Sequence, residues 1–168
     1  MNIEWVVFDA VGTVMEPEPS VASAYHAVGK QFGSTRTMEE VRSRFAAAFA
    51  ETEQNDLANG SNLTTNAANE EARWRYVVEA VFPEVGDREG CFQELHRHFA
   101  RPSAWRCFDD VAATLRLLRE RGLRLAIASN FDDRLHSICD GITPLTLFEK
   151  RYVSSDMGFR KPSERFYT

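Results

Sequence analysis

Ile3-Glu-Trp-Val-Val-Phe-Asp9-Ala-Val-Gly-Thr-Val-Met15 decides how this chain is read: an apolar run, a lone carboxylate at its end, and a Gly-Thr turn three residues later. Trp5 to Phe8 has the length and β-branched content of a buried strand. Asp9 then falls at the strand's C-terminal end, where open α/β sheets bind ligands. A carboxylate in that place is costly unless it is paired or has chemistry to do. Gly12 permits a tight turn, and Thr13 offers a hydroxyl and a backbone N–H to an anion. The same pattern also suits an Asp that merely caps the turn, so the stretches further along decide between the two.

Working outward, Leu123-Arg-Leu-Ala-Ile-Ala128 reads as a second buried strand ending in Ser129-Asn130, and Arg151 to Ser155 as a short third strand followed by Met157-Gly-Phe-Arg-Lys161-Pro162. A helix opening at Asp109 or Asp110 and ending at Gly122 precedes the second strand, and another over Asp132 to Cys139 follows it. Ser163 is placed to cap a last helix. Strands alternating with helices argue for an α/β fold with a Rossmann-like, doubly wound parallel sheet. Between the first and second strands lies a helical block too long for a simple crossover. Glu16-Pro-Glu-Pro19 reads as a rigid polar connector, with Pro19 in the first turn of a helix running to about Phe32. Thr37-Met-Glu-Glu40 is a capping box opening a helix with Val41, Phe45 and Phe49 on one stripe. Asn55 to Asn69, with Asn59-Gly60 inside, reads as an exposed, mobile loop. Helices then run from Ala67 to Val81 and from Asp87 past Phe99. The block reads as an all-helical domain over residues 18–102, inserted into a sheet domain formed by 1–17 and 103–168.

Composition narrows the function classes. The chain has 168 residues, 43% of them hydrophobic, and a formal net charge of −5, which argues against nucleic acid as the main partner. No long apolar run predicts a membrane span, and no secretory signal is visible, so a cytoplasmic protein is expected. The three cysteines, Cys91, Cys107 and Cys139, form no disulfide framework or metal pair and read as structural thiols. The histidines lack neighbours at metal-ligand spacing.

In a doubly wound sheet the strand ends bring together Asp9 with Thr13, Ser129 with Asn130, and Lys161. A carboxylate, hydroxyl and N–H donors and a fixed cation suit attack on an electrophile that carries or develops negative charge, such as a phosphoryl group. An anionic nucleophile approaching a phosphate needs neutralisation, which Mg²⁺ usually supplies. The Asp9 carboxylate and the Val11 carbonyl are candidate ligands.

The ordered set Val6-Val-Phe-Asp-Ala-Val-Gly-Thr-Val14, Leu125-Ala-Ile-Ala-Ser-Asn130 and Lys161-Pro162 resembles the motifs of the haloacid dehalogenase superfamily of hydrolases. The resemblance implies a Rossmann-like core, a helical cap inserted after the first motif, and Mg²⁺ as cofactor. It implies Asp9 as the nucleophile of an aspartyl intermediate, the Val11 carbonyl as a metal ligand, Thr13, Ser129 and Asn130 as phosphate-holding positions, and Lys161 as the steadying cation. The expected partner is a small phosphorylated metabolite. Two departures qualify this. The family's phosphatases place a second Asp two residues after the nucleophile, as general acid and base. Here that position is Val11, and losing such help typically costs about 10² to 10⁴ in rate. The dehalogenase branch lacks that Asp too, because a halide leaves without a proton. For that branch an Arg must take the substrate carboxylate, and Arg36 and Arg73 are candidates by type. The family's fourth motif, which supplies further metal carboxylates and a strand beside the first, is expected beyond Lys161. The chain stops first, so a piece of a longer protein with weak or no turnover is expected. A non-catalytic binding protein is the third reading.

Overall fold

The computed structural model describes residues 3–58 and 63–168. β1 (Trp5–Phe8), β4 (Arg124–Ser129) and β5 (Lys150–Val153) form a parallel sheet in the order β1-β4-β5. Phe8 lies opposite Ile127, and Ser129 opposite Val153. This register puts Asp9 and Ser129 at the same end of neighbouring strands. β4 is buried from Leu125 through Ser129, as a central parallel strand with both faces covered should be. Gly122, at φ +80, turns the chain from α5 (Val111–Glu120) into β4.

The apolar run alone predicts a buried first strand, which needs correction; the missing strand beside it predicts a bare edge, and that is what stands among the described residues. β1 pairs with β4 alone among the described residues, and Val7 is 56% exposed. The apolar run therefore forms an edge, covered on one side only, and edges of this kind are open to further pairing.

The connector expected at Glu16 to Pro19 is instead partly a strand. β2 (Met15–Pro17) pairs antiparallel with β3 (Trp105–Cys107), so both crossings between the sheet and the helical block pass through one two-stranded ribbon. Pro19 stands outside α1 (Val21–Gln31), which Ser20 caps by accepting from the Ser23 amide. The Thr37 capping box forms as read, with Glu40 reaching back to the Thr37 amide at 2.8 Å. α2 (Met38–Ala58) runs four residues into the stretch read as a loop. Residues 59–62 lie outside the described residues. Thr65 is buried, because its hydroxyl and amide are both bonded. α3 (Ala67–Val81) and α4 (Arg88–Ala100) complete the block. In the C-terminal half, α6 (Arg134–Gly141) begins two residues later than read, and α7 is a single turn (Ser154–Met157). Neither Asp110 nor Ser163 makes a side-chain cap bond, and Glu164–Phe166 is a 3₁₀ turn.

Two hydrophobic clusters result. One joins the sheet to α5 and α6 through Leu115, Leu125, Ile127, Leu135 and Ile138. The other lies within α1 to α4, around Tyr25, Val41, Val77, Phe82 and Phe92. Cys91 and Cys139 are buried in these clusters, and burial pushes both thiols up to about 11, so they stay protonated near neutrality. No helix among the described residues is long and apolar enough to cross a membrane.

The second cluster makes a sharp packing prediction at Gly29. A Cβ there would stand 2.6 Å from Cε1 and Cζ of Phe82, a side chain with no exposure of its own. Gly29→Ala gains about 1 kcal/mol of helix propensity, while overpacking a closed core loses about 1–3 kcal/mol. Urea denaturation should therefore show a net loss of stability. A gain would mean that Phe82 has room to move.

Candidate active site

Asp9 sits where β1 ends and the chain turns. The Ala10 carbonyl accepts from Val14 at 2.9 Å and Met15 at 3.1 Å, and Gly12 makes the tight turn at φ +80. The carboxylate faces out of the turn, half-exposed. Lys161 reaches it, with Nζ 2.7 Å from Asp9 Oδ1. The same ammonium donates to the Ala128 carbonyl at 2.8 Å, so the end of β4 aims it.

Asn130 has a different place from the one expected. Its Oδ1 accepts from the Lys161 amide at 2.7 Å, and its Nδ2 donates to the Lys161 carbonyl at 3.0 Å. Both ends of the side chain are thereby committed to holding Lys161 rather than an anion. Ser129, 3% exposed, lines the cavity beside it. Buried Ser154 holds the turn after β4 by bonding both the amide and the carbonyl of Phe131. Thr13 is exposed, and its amide bonds to Ala10 at 3.3 Å. The structure thus brings Asp9, Val11, Ser129, Asn130 and Lys161 to one cavity wall, without Thr13.

That cavity, of about 440 Å³, lies between the strand ends and the helical block. Its walls are largely apolar and aromatic. Arg73 lines it, as do Arg134 and Arg160, while Arg36 is tied to Glu84 elsewhere. Each wall arginine is matched by acid groups. Arg134 grips Asp132 in a bidentate pair at 2.7 and 2.6 Å, both side chains nine-tenths buried. Arg160 binds Glu70 at 2.6 and 2.8 Å, and reaches Glu53 at 3.1 Å and Asp56 at 3.2 Å. Arg73 pairs with Asp56. The backbone clips together at the same place, Arg160 donating to Leu63 and Thr65 to Gly158. Asp132 and Arg134 are neighbours in sequence and could have been suspected. Arg160 and Glu70 are 90 positions apart, and no local pattern links them.

The side chains present do not by themselves fit a Mg²⁺ cradle. Among the described residues no group of three or more His, Cys, Asp and Glu gathers around one point. The other carboxylates on the cavity wall, Glu53 and Glu70, are held by Arg160, and Asp9 already carries an ammonium on one oxygen. A magnesium ion needs oxygen ligands in near-ideal octahedral geometry.

A family model described as haloacid dehalogenase-like hydrolase matches residues 3–168. Haloacid dehalogenase-like hydrolase domain-containing protein 3 of Bos taurus is 34% identical over 99 residues, which are 56% of this chain and 39% of that protein, well under two thirds of its length. The Danio rerio protein of the same name is 26% identical over 171 residues, covering 99% of this chain and 69% of its own. The L-2-haloacid dehalogenase of Xanthobacter autotrophicus with chloropropionic acid covalently bound has the same fold, with a TM-score of 0.64 and 19% identity over 99% of this chain and 62% of that one.

Proposed function

The chain belongs to the haloacid dehalogenase-like hydrolase family, and on that premise we propose that Asp9 attacks a small organic acid at carbon and displaces a leaving group that departs as a stable anion, as a halide does. Residues 18–102 act as a cap over a core formed by 1–17 and 103–168, with the cavity between them. One observation carries this reading: the Asp9–Lys161 pair, 2.7 Å apart, opens onto an apolar cavity with Val11 at the position where an acid would have to stand. An apolar side chain cannot protonate an alkoxide, so the leaving group must depart unprotonated. An L-2-haloacid dehalogenase of the same fold has been solved with chloropropionic acid covalently bound.

Lys161 holds Oδ1 of Asp9 and leaves Oδ2 to attack. The Oδ2–carbon bond forms as the carbon–halogen bond breaks and halide leaves with its electron pair. Water then cleaves the Asp9 ester, releasing the hydroxy acid and a proton and restoring the carboxylate. Ser129 offers a hydroxyl at the wall beside Asp9 and Lys161.

A second reading, phosphoryl transfer to Asp9, is favoured by buried Ser129 standing beside Lys161 in the cavity. It suits phosphate esters with good leaving groups. The two readings separate in one assay set: halide release from L-2-chloropropionate, and p-nitrophenyl phosphate hydrolysis with and without Mg²⁺, each beside an Asp9→Asn control. Halide release that vanishes in the control supports the first reading. Phosphate release that vanishes in the control, without halide release, replaces it with the second. A folded protein that does neither leaves the non-catalytic binding reading.

Asn130 is expected to act through Lys161. Asn130→Ala removes two hydrogen bonds to the Lys161 backbone, each worth about 0.5–1.5 kcal/mol. A displacement of the ammonium by about 1 Å is enough to lower turnover roughly 10²-fold. Measured kcat should fall by about that factor, with the melting temperature lowered by roughly 2–12 °C, so activity is compared at a temperature where the variant stays folded. An unchanged kcat would mean that the lysine is held by Ala128 and Asp9 alone.

A further inference from the structure

The cavity is larger than a three-carbon acid requires, and its far wall is built for a flat apolar group. At about 440 Å³ it falls in the range that takes drug-sized ligands, roughly 300–1,000 Å³. An acid of half a dozen heavy atoms would leave most of that space to water against apolar walls, which is unfavourable.

The wall away from Asp9 is a run of stacked rings from two helices. Phe45 stacks on Phe49 with centroids 5.9 Å apart at 14°, and Phe49 stacks on Trp74 at 6.0 Å and 30°. Across the cavity, Trp105 meets Phe131 edge-on at 5.7 Å. The wall arginines Arg73, Arg134 and Arg160 are each held by carboxylates, Glu53, Asp56, Glu70 and Asp132, so their charges are spent on one another. Beyond these paired side chains, and Tyr25 and His96, the polar groups of the wall stand at the strand ends. A cavity with a reactive polar end and a stretch of stacked rings on its wall selects an amphipathic ligand.

We propose that the substrate is an aryl-bearing organic acid, its anionic group and reacting carbon at Asp9 and Lys161 and its ring against Phe45, Phe49 and Trp74. The assignment rests on the reacting end being at Asp9, and it deepens that reading by naming the group that fills the rest of the cavity.

The test uses binding of unreactive acids, so it does not depend on turnover. Isothermal titration of the chain with 3-phenylpropionate and with propionate should show the phenyl acid binding about tenfold or more tightly, from the apolar area its ring buries. Trp74→Leu and Phe49→Leu should each weaken 3-phenylpropionate binding severalfold and leave propionate unchanged. Phe49 is 36% exposed, so its variant keeps the test available if Trp74→Leu fails to fold in a thermal melt. Equal affinities for the two acids overturn the proposal, as does no binding of the phenyl acid, or phenyl-acid binding indifferent to the folded variants. Because neither acid carries a leaving group, these failures leave the role of Asp9 to the halide and phosphate assays.

Discussion

Asp9→Asn is expected to abolish turnover of whatever substrate the chain accepts, by roughly 10⁴ to 10⁶, the scale of losing an attacking group that acts as part of a unit. The amide is nearly isosteric and can still accept from Lys161, but it has no charge with which to attack. The effect on folding should be small. Asp9 and Lys161 side chains are 45% and 22% exposed, and ion pairs this open to solvent contribute about 0–1 kcal/mol. The decisive comparison is therefore activity against melting temperature in the same preparation. A large loss of activity with an unchanged melt assigns the residue to chemistry. Retained activity would move the nucleophile elsewhere and remove the basis for reading the cavity around Asp9.

The largest effect on stability is expected at Arg160. Its guanidinium neutralises Glu70, and both side chains are almost fully buried. Arg160→Leu removes the cation bonded to both Glu70 oxygens and leaves the carboxylate inside with Thr65 as a hydrogen-bond partner and Arg73 Nε 3.8 Å away as its remaining cation. Breaking a buried pair in this way typically loses about 3–5 kcal/mol. At about 2–4 °C per kcal/mol for a chain of this size, the melting temperature should fall by roughly 6–20 °C. Combining Arg160→Leu with Glu70→Leu should recover much of the loss, because an apolar pair avoids the stranded charge. The network joins the loop bearing Lys161 to α2 and α3, so the single variant should also lower turnover. By contrast, removing Arg106 from its exposed pair with Glu16 should shift stability by less than about 1 kcal/mol. If Arg160→Leu behaved like that surface variant, the buried network would not be what ties the helical block to the sheet.

Local sequence signals misplace the elements whose state depends on distant partners. Trp5 to Phe8 reads as a buried strand because apolar, β-branched runs look alike whether one or both neighbours are present. Which neighbours it has is a long-range fact. Glu16 and Pro17 read as connector because a three-residue strand containing Pro has too few residues to show a period, and only the pairing of Met15–Pro17 with Trp105–Cys107 makes it one. The Asn-rich stretch hides four helical residues because Asn and Asp weaken helix propensity without forbidding helix. Asn130 is visible as a polar residue at a strand end, yet its task of holding Lys161 depends on a segment 31 residues away.

By itself the sequence determined the alternation of strands and helices, the placement of Asp9, Ser129 and Lys161 at strand ends, and the absence of an acid at Val11. These follow from local rules: hydrophobic period, capping, and the chemistry of single side chains at fixed spacing. Only the tertiary structure decided that Lys161 bonds to Asp9, that Thr13 lies off the cavity wall while Arg73 lies on it, and that Arg160 closes on Glu70. Those outcomes depend on which distant segments share one low-dielectric interior. There an unpaired charge is too costly to leave, and the fold must bring its partner from wherever in the chain it lies.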